Sequence, residues 1–199
     1  MRLHQRLFAA GLLCLAAAGC AEQQTAALPH PNAIIVREFA LSQAAITLDP
    51  TFGFSLYRGT PGVPPRERAA SVGRAVAFNV GDTIVEQLRQ AGYDAVLSDG
   101  TTTEPGGRAL IVAGAVRSIN EGQRRRVGAE NPSVSVYGEV DYRTGAGAAA
   151  QRLSNFALDS RQVVRGGGDV KAAAASLGRA IAQSVLDVAR RNNWPGAAR

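Results

Sequence analysis

Val72, Val76, Val80, Ile84 and Leu88 recur at every fourth position. That interval keeps side chains on one stripe of an α-helix. It predicts a helix over Arg66–Ala91, with Ala69, Ala75 and Val85 flanking the stripe. Pro64-Pro65 stand just before it, and Gly92 occupies a natural position for the residue after a helix end. Gly73 and Gly81 interrupt the helix and predict close packing against a sheet.

The rest of the chain supplies that sheet. Ala33–Phe39 is rich in β-branched residues and reads as the first strand. A long connection follows to about Pro65, punctuated by Asp49-Pro50, Gly53, Gly59 to Gly62 and Pro64-Pro65. After the helix, Tyr93–Leu97 reads as a short strand, Ser98–Gly107 as a polar loop and Ala109–Ile119 as a second apolar strand. Gly122–Pro132 is a polar tip. Val134, Val136, Val140 and Tyr142 alternate with Ser135, Tyr137, Glu139 and Asp141, the pattern of a strand with one covered and one wetter face. Gly145–Ala150 is a turn, and Leu153–Val164 a weaker strand. Gly166-Gly167-Gly168 is a break, Asp169 a good N-cap, and the last helix runs to about Asn193 on a stripe of Leu177, Ile181, Val185 and Val188, with Trp194-Pro195 ending it. The order is β-α-β-β-β-β-α. It predicts an α+β two-layer sandwich, with a mixed or antiparallel sheet of about five strands and two long helices on one face. The first strand–helix–strand unit fits a parallel crossover. One domain then covers 33–194, with 195–199 as a tail.

The amino-terminal stretch differs in kind. Arg2 and Arg6 form a basic start, and Leu7–Ala18 is almost wholly apolar. That is the layout of a secretory signal, too short to span a bilayer, which takes roughly 20 such residues. Ala17, Ala18 and Gly19 directly precede Cys20, and the step resembles the lipobox of bacterial lipoproteins. The resemblance implies a signal peptide over 1–19, lipid on Cys20, and a flexible tether over 20–32 containing Pro29 and Pro31. Ala stands where the commonest pattern has Leu, three residues before the cysteine. Ala21, not Asp, follows the cysteine, which by the same resemblance implies the periplasmic face of the outer membrane. Ala16 and Ala18 also fit an ordinary signal-peptidase site, in which case Cys20 is incidental.

Composition narrows the chemistry. The chain of 199 residues carries Cys14 and Cys20 and no other cysteine, and His4 and His30 and no other histidine. With Cys14 in the leader and Cys20 lipidated, the domain has no thiol for a disulfide, a nucleophile or a metal site. One histidine on a tether excludes a Ser-His-Asp triad or a His-based zinc site inside the fold. The formal charge of +6 falls by two, to +4, when Arg2 and Arg6 leave. That is not a nucleic-acid signature, which clusters Lys and Arg along one element. No catalytic residue, metal or cofactor is therefore assigned.

The candidate contacts are loops. Arg124, Arg125 and Arg126 are the densest charge, either a solvated tip or a contact for anionic groups. Phe52, Phe54 and Tyr57 lie in the long connection, as core filling, a lid or a partner surface. Glu139 and Asp141 share a strand face; carboxylate pairs can do acid–base work, but arginines on neighbouring strands, Arg117, Arg143 or Arg152, can neutralise them across the sheet. Gly145 to Ala150 matches a loose dinucleotide fingerprint that needs a helix after it.

Short stretches also resemble a family of proteobacterial lipoproteins known only as domain of unknown function 4410. They are Ile34–Phe39, Leu88–Tyr93, Val112–Gly122 and Arg124–Gly128, within a likeness spanning about 33–190. Family members usually carry a glycine-rich stretch where this chain has Ala129–Pro132. The resemblance implies an envelope lipoprotein with an α+β domain and no established activity. The expected function is a non-enzymatic, membrane-anchored periplasmic lipoprotein that binds a partner or assists an envelope complex. The alternative is a module that binds an anionic glycan or lipid through Arg124–Arg126.

Overall fold

The computed structural model describes residues 28–49, 62–101, 103–123, 130–163 and 168–196. Six strands form one mixed sheet: β1 (Ala33–Arg37), β2 (Ala45–Thr47), β3 (Ala95–Ser98), β4 (Ala109–Asn120), β5 (Ser133–Arg143) and β6 (Ala150–Asp159). The helices are α1 (Pro65–Gln90), a four-residue turn α2 (Ser160–Val163) and α3 (Val170–Arg191). The sheet order is β3-β1-β4-β5-β6. β1 runs parallel to both β3 and β4, so β1-α1-β3 is the expected parallel crossover. β4, β5 and β6 form an antiparallel meander. The α+β two-layer arrangement read from the sequence is the one observed.

Two details differ. The connection after β1 contains β2, which pairs parallel with Ser118–Asn120 of β4. β1 occupies the first part of β4 and β2 the last, with a bridge at Ala40–Ala115 between them. Three residues are too few to show a period; β2 exists because the 12-residue β4 extends past the end of β1. The last strand ends at Asp159, not Val164. Asp159 caps the turn that follows, accepting from the Arg161 amide at 2.9 Å and from its guanidinium, and aspartate suits caps better than strands. Buried Ser160 then accepts the Val134 amide at 2.9 Å.

Both helices cover one face. Val76, Val80, Ile84 and Leu88 are at most 1% exposed, as are Leu177, Ile181, Val185 and Val188. Each fully buried aliphatic side chain contributes about 1.5–3 kcal/mol. That outweighs the roughly 1 kcal/mol that each glycine costs inside α1. The glycines are where packing needs them: a Cβ on Gly81 would sit 2.7 Å from Leu97 of β3, and one on Gly73 3.1 Å from Ile46 of β2. On the sheet, Gly114 and Gly138 are cross-strand partners and leave room for the rings of Phe39 and Phe156.

α1 and α3 run in the same direction. Gly178 packs on Val80 and Thr83 midway along, and both helices end alike. In α1 the Gly92 and Tyr93 amides return to the Arg89 and Leu88 carbonyls; in α3 the Asn193 and Trp194 amides return to Arg190 and Ala189. This is the Schellman closure, with the turning residue left-handed at Gly92 (φ 87°) and Asn193 (φ 55°). The closure places an aromatic residue directly after each turn, and the Tyr93 hydroxyl donates to the Trp194 carbonyl at 2.7 Å.

Those aromatics hold the start of the domain. The predicted tether enters the described structure at Leu28, and from there it is docked. Trp194 Nε1 donates to the Leu28 carbonyl at 2.7 Å, and the Tyr142 hydroxyl to the Pro29 carbonyl at 2.9 Å. His30 stacks on Tyr93 and places Nε2 2.9 Å from the Pro195 carbonyl.

The face away from the helices is partly covered. The loop after β3 folds back so that Glu104 accepts from Arg37 Nε at 2.8 Å and from Arg143 Nη1 at 3.2 Å, while Arg143 Nη2 donates to the Pro105 carbonyl. Ile35 and Ile111, on that side of the sheet, are at most 5% exposed. The hydrogen bond from Arg37, then the charges of Arg37 and Arg143, hold the Glu104 carboxyl below its ordinary value against the opposing effect of burial. A carboxyl depressed in the native state stabilises fully above its unfolded value, about 4.5, and loses that contribution as the pH falls through the depressed native value. Urea midpoints of the native protein should therefore fall as pH drops below about 4.5. Glu104→Gln should be less stable at neutral pH and fall less steeply below it. Parallel curves for the two proteins would refute the clamp.

Candidate functional site

The strongest candidate is a cleft at the end of the domain where both helices begin. α1 and α3 pack closely at Gly178, and both line the hollow with residues on the amino-terminal side of that contact. The opening is about 380 Å³, within the usual range for ligand pockets of roughly 300–1,000 Å³. Val72, Ala75, Val76 and Asn79 of α1 form one wall, and Asp169, Val170 and Lys171 of α3 the other, with Asp49, Arg68, Glu121 and Pro132 closing the end. Asp169 caps α3 by accepting the Ala172 amide at 2.8 Å. Asn79 donates to the Ala75 carbonyl at 2.6 Å. Ala75, at the margin of the apolar stripe, is exposed and belongs to the cleft.

The end wall is built by residues far apart in sequence. Glu121 follows β4; its amide donates to the Thr47 carbonyl at 3.0 Å, and its carboxylate accepts from the Asp49 amide at 2.8 Å and pairs with Arg68. Beside it, Gln123 and Glu130 exchange backbone hydrogen bonds at 2.9 and 3.0 Å. Asn120 ties them down, donating to the Glu130 carboxylate at 2.7 Å and accepting from the Gly122 amide at 2.8 Å.

These contacts bear on the loops singled out in the sequence. Cys20, Phe52, Phe54, Tyr57, Arg124, Arg125 and Arg126 all lie outside the described residues. The described residues at the bases of the two loops nevertheless meet: Thr47 and Asp49 before one, Glu121 and Gln123 before the other. Asp169, which follows the glycine break, stands at the same cleft. Three connections far apart in sequence thus begin or end at one place. Sequence reasoning missed the walls between them, because Arg68 and Glu121 are 53 positions apart and no local spacing links them.

A second hollow, about 600 Å³, lies on the open face of the sheet around Ala113, Ala115, Ala157, Tyr137 and Glu139. Arg117 is the extra residue of a β-bulge in β4, which re-aims it over the Tyr137 ring at 5.4 Å. Glu139 and Asp141 both pair with Arg152 across the sheet. The cross-strand neutralisation weighed for this carboxylate pair is thus present. Gly145–Ala149 turns directly into β6, so the helix a dinucleotide loop needs does not follow. Among the described residues, no group of three or more His, Cys, Asp or Glu is placed to hold a metal ion, and no helix is long and apolar enough to cross a membrane.

No family model and no curated protein matches this chain. The resemblance to domain of unknown function 4410 therefore rests on the short stretches quoted above. Among solved structures, the chain is similar to the PelC dodecamer from Paraburkholderia phytofirmans at 14% identity and a TM-score of 0.39, over 81% of this chain and 91% of that one. It is similar to a Xanthomonas campestris protein of family DUF330 at 12% identity and a TM-score of 0.38, over 82% and 91%. A homolog of a neuraminyllactose-binding hemagglutinin from Helicobacter pylori follows at 12% identity and a TM-score of 0.31, over 83% and 85%. At such scores the likenesses carry no inference about function.

Proposed function

We propose that this chain is a lipid-anchored protein of the bacterial envelope with a non-enzymatic, partner-binding or accessory role, exercised through the end where the helices begin. The observation that supports it most is the gathering of three connections around one cleft. Loops carry recognition when a rigid scaffold positions them, and here each base is fixed by β4, α1 or α3. The cleft has an apolar floor in Val72 and Val76 and charges of both signs at its rim, the composition of a small recognition pocket. The anchor rests on Cys20 and the small residues before it.

The second reading, an anionic glycan or lipid held by Arg124–Arg126, has one observation in its favour. The base of that loop lies at the cleft, near Arg68 and Lys171. Against it, Asp49, Glu121 and Asp169 line the same opening. The test is a photocrosslinking residue in the cleft, at Ala75, compared with one at Ala146 in the β5–β6 turn, in native envelopes.

A further inference from the structure

The domain has two unlike ends. At one, the docked segment 28–32 meets Tyr93, Tyr142 and Trp194, where both long helices finish. At the other, both helices begin and the cleft opens. The 26 residues of α1 separate these ends by about 39 Å at 1.5 Å per residue. β4 spans the same two ends in the opposite direction, and its 12 residues give about 40 Å at roughly 3.3 Å each.

Cys20 lies eight residues before Leu28. Eight residues reach at most about 26–29 Å, even fully extended. A domain standing on its cleft end would hold Leu28 about 39 Å above the surface, beyond the reach of that segment. The segment is therefore too short to let the domain invert.

We infer that the cleft end is directed away from the bilayer that holds Cys20, and that its partner is a protein of the aqueous compartment and not the lipid headgroups beneath. The inference rests on the reading of Cys20 as the lipid site. The chemistry of the cleft points the same way. Its floor is Val72 and Val76 with Val170 opposite, and three carboxylates (Asp49, Glu121, Asp169) face it with two cations (Arg68, Lys171). These charges nearly balance, with Glu121 paired to Arg68, so a phosphate-rich surface gains no net attraction from them. A polypeptide that inserts one apolar side chain between charges of both signs needs none.

The test uses the acylated mature protein in phosphatidylethanolamine–phosphatidylglycerol vesicles whose headgroups carry an energy-transfer acceptor effective over distances comparable with the length of the domain. Cys14 leaves with the leader and Cys20 is blocked by lipid, so one introduced cysteine is the only free thiol. Asn131→Cys marks the cleft end and Ala146→Cys the opposite end; both positions are exposed. A fluorophore at 146 should be quenched several-fold more than one at 131, with both variants melting like the native protein. Equal or stronger quenching at 131 overturns the orientation. Flotation reads the anchor separately. Native protein that does not float with the vesicles, or Cys20→Ser protein that still does, overturns the anchor and the orientation with it.

Discussion

Replacing Trp194 with alanine should destabilise the protein by about 3–5 kcal/mol, the usual cost of truncating a buried tryptophan. Trp194 is only 4% exposed. It stacks on Tyr142 with ring centroids 5.7 Å apart, and its indole N–H holds the Leu28 carbonyl. Its backbone closes α3 and receives the Tyr93 hydroxyl. Truncation therefore opens a cavity in the core and releases the docked segment together. Trp194→Phe separates the two effects. It keeps an aromatic ring against Tyr142, loses the indole hydrogen bond, about 1 kcal/mol, and removes far less buried volume than alanine does. Urea denaturation gives the energies, and protease cleavage before Ala33 reports the segment. The alanine variant should be cut there under conditions that leave the native chain intact. A Trp194→Ala protein with native stability and an uncut segment would show that residues 28–32 are not held as described.

Gly178→Val should be the second large effect. Glycine to alanine inside a helix ordinarily stabilises by about 0.8–1 kcal/mol. Here the sign should reverse. A Cβ at 178 would lie 2.7 Å from the Thr83 Cβ and 2.9 Å from the Val80 carbonyl oxygen. Neither obstacle is the free end of a flexible side chain, so the relief available is separation of the two helices. Overpacking of this kind costs about 1–3 kcal/mol, and the branched valine should sit at the upper end, with alanine below it. The same separation would reshape the cleft, whose two walls are α1 and α3 on the amino-terminal side of Gly178. Partner binding should then weaken even in variants that remain folded. Thermal melts of the Ala and Val variants decide the sign; a rise in Tm for Gly178→Ala would mean that the helices do not approach this closely.

What the sequence made legible follows from how local each signal is. The stripes of α1 and α3 were readable because the interval of four repeats over whole helices. The alternation of β5 was readable for the same reason at period two. β2 was not, since its three residues take their conformation from β4. The docking of Leu28–Asn32 was not, because it depends on hydrogen bonds between groups more than 100 positions apart, and two prolines in a polar stretch look like a free tether. The cleft was half legible. The polar, turn-rich loops marked where contacts could form, but their meeting at one end depends on the parallel course of α1 and α3. Ala75 shows the limit well: the stripe placed it at a flank, and only the packing of α3 beside α1 makes that flank a wall of the cleft.

The most direct measurement is photocrosslinking from both walls of the cleft in native envelopes. A crosslinking residue at Ala75 reports the α1 wall, one at Lys171 the α3 wall, and one at Ala146 the opposite end of the domain. A recognition cleft should give the same identified protein from Ala75 and from Lys171, and no such adduct from Ala146. Adducts that form from Ala146 and from neither wall, or unrelated adducts from the two walls, would contradict it.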